Sequence, residues 1–216
     1  MQVILGIDTS TRTYGIALQG GAEQAVESAA GWEERSSTPL ASMLTRGLGR
    51  LDAAVGDIAM IAVNIGPGRL TSVRSGVAFA NALAYSLGVP LIGADSFFLL
   101  GRSAARQTPL PVVCAFPGPE GKTYVGLYRD GRVQTARLGI LEQVAPEVVP
   151  RSETVALAGR SRRRLIALLP PETVVDTEIE SVDPQVLIEY ALEAGRAVDA
   201  PFTPLRPLNE QSEVFR

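Results

Sequence analysis

Three short strands followed by alternating helix and strand occur twice in succession along these 216 residues, and this repeated order narrows the fold more than any single motif. In the first half, residues 3–8, 13–18 and 22–28 are short apolar–polar segments, the last two parted by Gly20 and Gly21. Pro39 opens a predicted helix with Leu40, Met43, Leu44, Leu48, Leu51 and Val55 on one face, the stripe made by apolar residues three and four apart. An apolar strand at 58–64 runs into Gly66-Pro67-Gly68, then a helix over 70–87, a strand at 90–92 and a helix capped by Ser96 that continues to 105. Thr108-Pro109 reads as a linker, and the order begins again. A strand at 112–116 precedes a hairpin of 123–129 and 132–138, turned by Asp130-Gly131. A helix near 140–145, a strand at 155–158, a helix over 160–169 and a strand at 174–175 follow. Asp183-Pro184 opens the last helix, with Leu187, Tyr190, Ala191, Ala194 and Val198 on one face. Two βββαβα-type halves predict a duplicated α/β fold, divided into 1–107 and 108–216.

The helix over 70–87 carries a single charged residue, Arg74. Val73, Val77, Ala80, Ala84 and Leu87 form one stripe, and Ser75, Ala78, Phe79, Ala82, Leu83 and Ser86 form a second face of small or apolar groups. A helix that is apolar nearly all round is buried nearly all round, and a half of about 100 residues is too small to wrap one completely. The second face therefore calls for a cover, either a helix of this chain, with the one opened by Pro39 as its neighbour, or another protein. A purely intramolecular core helix is the plainer reading. Small residues would let a partner helix approach to ~8 Å between axes.

Composition removes several function classes. The chain has no histidine, so it cannot build a Ser-His-Asp triad, a Cys-His pair or an HExxH metal helix. Its net charge is −3, which sets up no overall field toward nucleic acid or membrane. Every basic residue but Lys122 is arginine. Cys114 stands alone in an apolar run and reads as a core thiol, which excludes an internal disulfide and fits a reducing, cytoplasmic setting. The N-terminus lacks the pattern of a signal peptide, and no apolar run reaches the ~20 residues that span a bilayer.

The first strand ends in Asp8-Thr9-Ser10-Thr11. An acidic, hydroxyl-rich turn at a sheet edge can cradle phosphate on its amides and hold a metal-bound water on its carboxylate, and this one looks like the first phosphate loop of the actin, sugar-kinase and chaperone ATPase superfamily. An ordinary hairpin turn uses the same residues. Far more specific is the pattern Gly66, Pro67, Gly68, Thr71, Arg74 and Gly76 directly after a strand. With ILGIDTSTRTYGIAL before it and VAFANALAYSLGVPLIGADS after it, the stretch resembles the bacterial TsaB (YeaZ) family over residues 1–96. Beyond Thr108 only element order and length continue the resemblance.

What the resemblance implies is a duplicated actin-like (ribonuclease H-like) fold and a non-catalytic scaffold subunit. Such a subunit pairs with a TsaD-like transferase and a TsaE-like ATPase in the threonylcarbamoylation of adenosine 37 in tRNAs reading ANN codons. The transfer itself occurs in the TsaD-like partner, and tRNA is reached only through the complex. The interface would take Leu40, Met43, Leu44, Leu48, Thr71, Arg74, Val77, Ala78 and Ala82, and the same surface would pair two copies of the chain when it is alone. No metal or resident cofactor is expected, with room for a weak ATP or ADP contact at Asp8, Thr9, Ser10 and Thr11. The alternative is a small actin-like phosphotransferase using Asp8, Thr9 and Ser10 on ATP.

Several residues depart from the family pattern. The loop written GPGSFTG in the family reads Gly66-Pro67-Gly68-Arg69-Leu70-Thr71-Ser72 here, and the region where a histidine often stands is Arg35-Ser36-Ser37-Thr38. The Asp-Ala-Arg that ends the first strand of the second half is replaced by Ala115-Phe116-Pro117-Gly118, which removes the second carboxylate an ATP-gripping fold needs. Residues 118–123 imitate a P-loop but are two residues short and precede a strand pattern. Arg160, Arg162, Arg163 and Arg164 read as a solvated helix face rather than a tRNA track, and the Pro-rich 201–207 as an extended segment laid on the surface.

Overall fold

A computed structural model describes residues 1–30, 39–194 and 202–215. The region 35–38, Val198 and Pro201 lie outside them. The elements are β1 (Val3–Asp8), β2 (Thr13–Gly20), β3 (Glu23–Ala30), α1 (Leu40–Arg50), β4 (Ile58–Asn64), α2 (Leu70–Leu87), β5 (Leu91–Ala94) and α3 (Ser96–Ala105). The second series is β6 (Val112–Pro117), β7 (Thr123–Arg129), β8 (Arg132–Gly139), α4 (Leu141–Val148), β9 (Val155–Ala158), α5 (Arg162–Ile166), β10 (Val174–Asp176) and α6 (Pro184–Ala194). Each series builds a five-stranded sheet of the same order, β3-β2-β1-β4-β5 and β8-β7-β6-β9-β10. In both, the first three strands are antiparallel and the last two run parallel to the first. The duplication inferred from element order is thus present in the strand order as well.

Helix boundaries differ in places. The helix expected to reach Val55 ends at Arg50, because Asp52 turns into the left-handed region at φ 48° and a short 3-10 turn follows at Val55–Asp57. Asp95, not Ser96, caps α3, its carboxylate accepting from the Phe98 amide at 2.9 Å. After Gly118 the chain makes a 3-10 turn and enters β7, so a strand stands where a P-loop needs a helix.

The compact units do not divide at 107/108. One comprises Met1–Ala94 with Asp183–Pro207, the other Asp95–Val182 with Leu208–Arg216. The reason lies in which sheet each terminal helix covers. Although α3 follows β5 in the chain, its Phe97, Leu99 and Leu100 are fully buried in the second unit, where it packs on β6 and β7. Conversely, α6 packs on β1, β2 and β4 of the first unit through Leu187 and Ile188. Element order carries no record of this exchange.

Within the first unit, Val3, Leu5 and Ile7 of β1 share a core with Ile16 and Leu18 of β2 and with the inner faces of α1 and α2. The opposite face of β1 meets α6 at Gly6, where an added Cβ would lie 3.0 Å from both the Leu187 Cβ and the Pro184 carbonyl oxygen. Two of those contacts cannot move independently of the helix. Gly6→Val should therefore lower unfolding free energy by about 1–3 kcal/mol, read as a lower urea midpoint at unchanged slope; an unchanged midpoint would contradict this packing.

Candidate functional site

The turn after β1 is closed by bonds within the first unit. Asp8, Thr9, Ser10 and Thr11 are all buried, at 1%, 0%, 3% and 6% exposure. The Asp8 Oδ1 accepts from the Ser10 amide at 3.0 Å and from the Asn64 side-chain amide at 2.9 Å. That same Asn64 Nδ2 also donates to the Ser10 hydroxyl at 3.1 Å, while Asn64 Oδ1 accepts from the Gly66 amide at 2.9 Å. Asn64, the last residue of β4, thereby joins the Asp8 turn to the Gly66-Pro67-Gly68 loop. Two further bonds extend the connection. The Arg69 amide donates to the Ser10 carbonyl at 3.0 Å, and the Thr9 hydroxyl donates to the Ser72 carbonyl in the first turn of α2 at 2.8 Å. The Thr11 hydroxyl is used locally, on the Thr13 carbonyl at 2.7 Å.

This packing explains two glycines of the motif. An added Cβ at Gly68 would stand 2.4 Å from the Ser10 carbonyl oxygen, and one at Gly76 would stand 2.2 Å from the Thr9 hydroxyl oxygen. Neither position has room for a side chain. The Ser10 carbonyl approaches the backbone of the loop at Gly68, the Thr9 side chain approaches the backbone of α2 at Gly76, and the two glycines serve those contacts.

Burial pushes the Asp8 carboxyl above its ordinary range, only partly opposed by the bonds from Ser10 and Asn64. A carboxylate placed this way faces protein donors. Among the described residues, no group of three or more metal-ligating side chains comes together. In the second unit, β6 ends without a carboxylate, and Phe116 packs edge-on against Phe97 with ring centroids 5.4 Å apart.

The nine residues expected at a partner interface separate into two groups. Leu40, Met43, Leu44 and Leu48 belong to the inner face of α1, packed on β2 and β3, and Val77 belongs to the inner face of α2; all five are core residues. They are corrected here to internal packing. The apolar stripe that marked them is the one that buries each helix on its own sheet, worth roughly 1.5–3 kcal/mol per large aliphatic side chain. Thr71, Arg74, Ala78 and Ala82 are exposed, and with Ser75, Tyr85 and Ser86 they form the outer face of α2. Tyr85 is 75% exposed. On α1, the outer residues Arg46 and Arg50 pair with the buried Glu27 of β3 at 3.0 and 2.9 Å.

Arg162 is internal rather than solvated, bound to Asp176 at 2.7 Å and Glu180 at 2.9 Å, and Arg164 reaches the Thr123 hydroxyl at 3.2 Å. Cys114 is fully buried, its thiol 3.7 Å from the Phe97 carbonyl oxygen. Asn64 is the site residue that sequence reasoning missed. Its one signal was a polar residue closing an apolar strand directly before the glycine loop.

A family model described as TsaD, tRNA N6-adenosine threonylcarbamoyltransferase, matches residues 33–154, more than half of the chain. The chain belongs to that family. It is 33% identical over 144 residues to the tRNA threonylcarbamoyladenosine biosynthesis protein TsaB of Bacillus subtilis, a match covering 67% of this chain and 60% of the relative. The resemblance to TsaB (YeaZ) proteins is thus borne out, although the chain spans less than two thirds of that relative's length. In fold it is similar to a Pseudomonas aeruginosa protein described as similar to peptidase YEAZ, with a TM-score of 0.82, 20% identity, and 98% of this chain and 100% of the other covered. A wider likeness reaches the activator of 2-hydroxyisocaproyl-CoA dehydratase from Clostridium difficile, with TM-score 0.51 and 11% identity over 94% of this chain and all of that one. The architecture is the duplicated actin-like fold.

A folded state that binds the Asp8 proton more tightly than the unfolded chain loses stability as pH rises through the folded-state value. Asp8→Asn keeps the Oδ1 acceptor and does not titrate. The variant should match the wild type near pH 4 and exceed it in urea unfolding free energy toward pH 7, taking about 3.9 as the unfolded carboxyl value; a difference independent of pH would refute the assignment.

Proposed function

We propose that this chain is a non-catalytic subunit of tRNA threonylcarbamoyladenosine synthesis that pairs with a TsaD-like transferase through the outer face of α2. The observation that carries this is the face itself: Thr71, Ser75, Ala78, Ala82 and Ser86 are small and exposed, with Arg74 the one charge on the helix. A solvated helix ordinarily carries several charges on its outer face, whereas small residues permit close helix–helix approach. Family membership and the similarity to TsaB supply the kind of partner.

In this reading the TsaE-like ATPase joins the pair, the modified base is adenosine 37 of tRNAs reading ANN codons, and tRNA is engaged only through the complex. The chain acts in the cytoplasm; no helix among the described residues is long and apolar enough to cross a membrane. It carries no resident cofactor, and any ATP or ADP contact at the Asp8 turn is weak, because the carboxylate and hydroxyls there are bonded to Asn64, Ser72 and Thr13. Alone, the same face pairs two copies of the chain.

The test is reconstitution with TsaC-, TsaD- and TsaE-like proteins, tRNA, threonine, bicarbonate and ATP, counting threonylcarbamoyladenosine by nucleoside mass spectrometry. Product should require this chain. Ala78→Glu and Ala82→Glu should leave thermal stability within about 0.7 kcal/mol, since both sites are exposed helix positions. Each should weaken pairing about 100-fold or more, because a charge would be left without a partner in a closed interface. Equal product without the chain would overturn the reading, and micromolar Mg-ATP binding that Asp8→Ala abolishes would favour the phosphotransferase instead.

A further inference from the structure

Asn81 lies on one edge of α2, in helical register with Arg74, Ala78 and Tyr85. Its side-chain amide makes three hydrogen bonds. The Nδ2 donates to the Val77 carbonyl at 2.9 Å and to the Leu205 carbonyl at 3.0 Å, and the Oδ1 accepts from the Leu205 amide at 2.9 Å. Both backbone groups of Leu205 are therefore read by one side chain, as a neighbouring strand would read them. Only an amide side chain carries a donor and an acceptor in this arrangement, and the bond to Val77 sets which way it faces.

The clamped side chain and the one three residues earlier are received as well. Leu205 enters against Gly93 of β5, the edge strand, where an added Cβ would stand 3.0 Å from Leu205 Cδ1 and 3.0 Å from Ile65 Cγ2. Three residues earlier, the Phe202 ring meets Tyr85 edge-on, centroids 5.9 Å apart. Residues three apart are separated by at most about 10 Å, so the Phe202 anchor and the clamped Leu205 read a short linear segment. Pro204 within it restricts the backbone and lowers the entropy lost on docking.

We propose that Asn81, Gly93 and Tyr85 form a recognition groove for an extended Phe-x-x-Leu segment, occupied by residues 202–205 of the chain itself as a releasable strap. The strap lies along the edge of α2 that borders Arg74 and Ala78. Its release changes the surface that the outer face presents, so strap release and partner docking are linked. That linkage rests on the partner reading above; the groove does not, and it is tested without any partner.

The probe is a fluorescently labelled peptide of the sequence at 202–207, titrated by anisotropy into the full chain carrying Phe202→Ala and Leu205→Asp, whose own strap is disabled. Saturable binding is expected, weakened at least 10-fold by adding Asn81→Leu to the chain or by replacing the peptide's leucine with aspartate. The wild type should bind the peptide at least 10-fold more weakly, because the tethered strap competes at an effective concentration on the millimolar scale. Absence of binding to the strap-disabled chain, or binding indifferent to Asn81→Leu, overturns the groove. Asn81→Asp in the otherwise intact chain supplies a second measurement. It removes the donor and sets a carboxylate oxygen toward the Leu205 carbonyl, so hydrogen exchange of the Leu205 amide should accelerate at least 10-fold with the exchange of β1 and β4 unchanged. Unaltered Leu205 protection overturns the proposal even if the strap-disabled chain fails to fold.

Discussion

Close contact of the turn after β1 with the Gly68 loop and with the backbone of α2 is the constraint on which the first unit depends. Asn64 sits at its centre and satisfies Asp8, Ser10 and Gly66 at once. A buried turn holds polar groups that have left water, and each one left without a partner would cost about 1–3 kcal/mol. Here the Ser10 carbonyl is matched to the Arg69 amide, and the Thr9 hydroxyl to the Ser72 carbonyl in the first turn of α2. That match can form only because Gly68 and Gly76 have no side chains at the points of contact. A single substitution at either glycine acts on the whole junction, since the strand end, the loop and the helix are tied to the same atoms.

Asp8 is turned inward, held by the Ser10 amide and the Asn64 side chain and destabilised as an anion by burial. The corresponding strand of the second unit ends in Phe116 and Pro117 and offers no carboxylate. What the junction does support is α2. Its inner face closes the core through Val73, Val77, Ala80 and Ala84, and its outer face remains small and nearly uncharged. On the proposed reading that outer face receives the partner, and residues 202–205 border it where Leu205 bonds to Asn81.

Much of this was legible in sequence. The hydrophobic period located every principal helix and strand, and the repeat of βββαβα located the duplication, because both are set by neighbours a few residues apart. The GPG pattern and the helix after it also stood out. Harder to read was direction. Leu40, Met43, Leu44, Leu48 and Val77 were apolar enough for either a core or an interface, and periodicity says that a face is buried without saying by what. Arg162 looked solvated in a run of arginines, yet Asp176 and Glu180, 14 and 18 residues onward, draw it inside. Asn64 and Asn81 left almost no trace, since one asparagine in a strand end or a helix looks like any other.

The chain by itself therefore determined its elements, their order, the duplicated α/β architecture and the absence of histidine chemistry, all of which follow from local period and composition. Tertiary structure alone decided that α3 and α6 each cover the sheet of the other series, that the Asp8 turn is closed around Asn64, and that residues 202–205 dock on Asn81. These depend on contacts between residues dozens to more than a hundred positions apart, where side-chain shape and paired donors and acceptors choose the partner, and no local pattern encodes that choice.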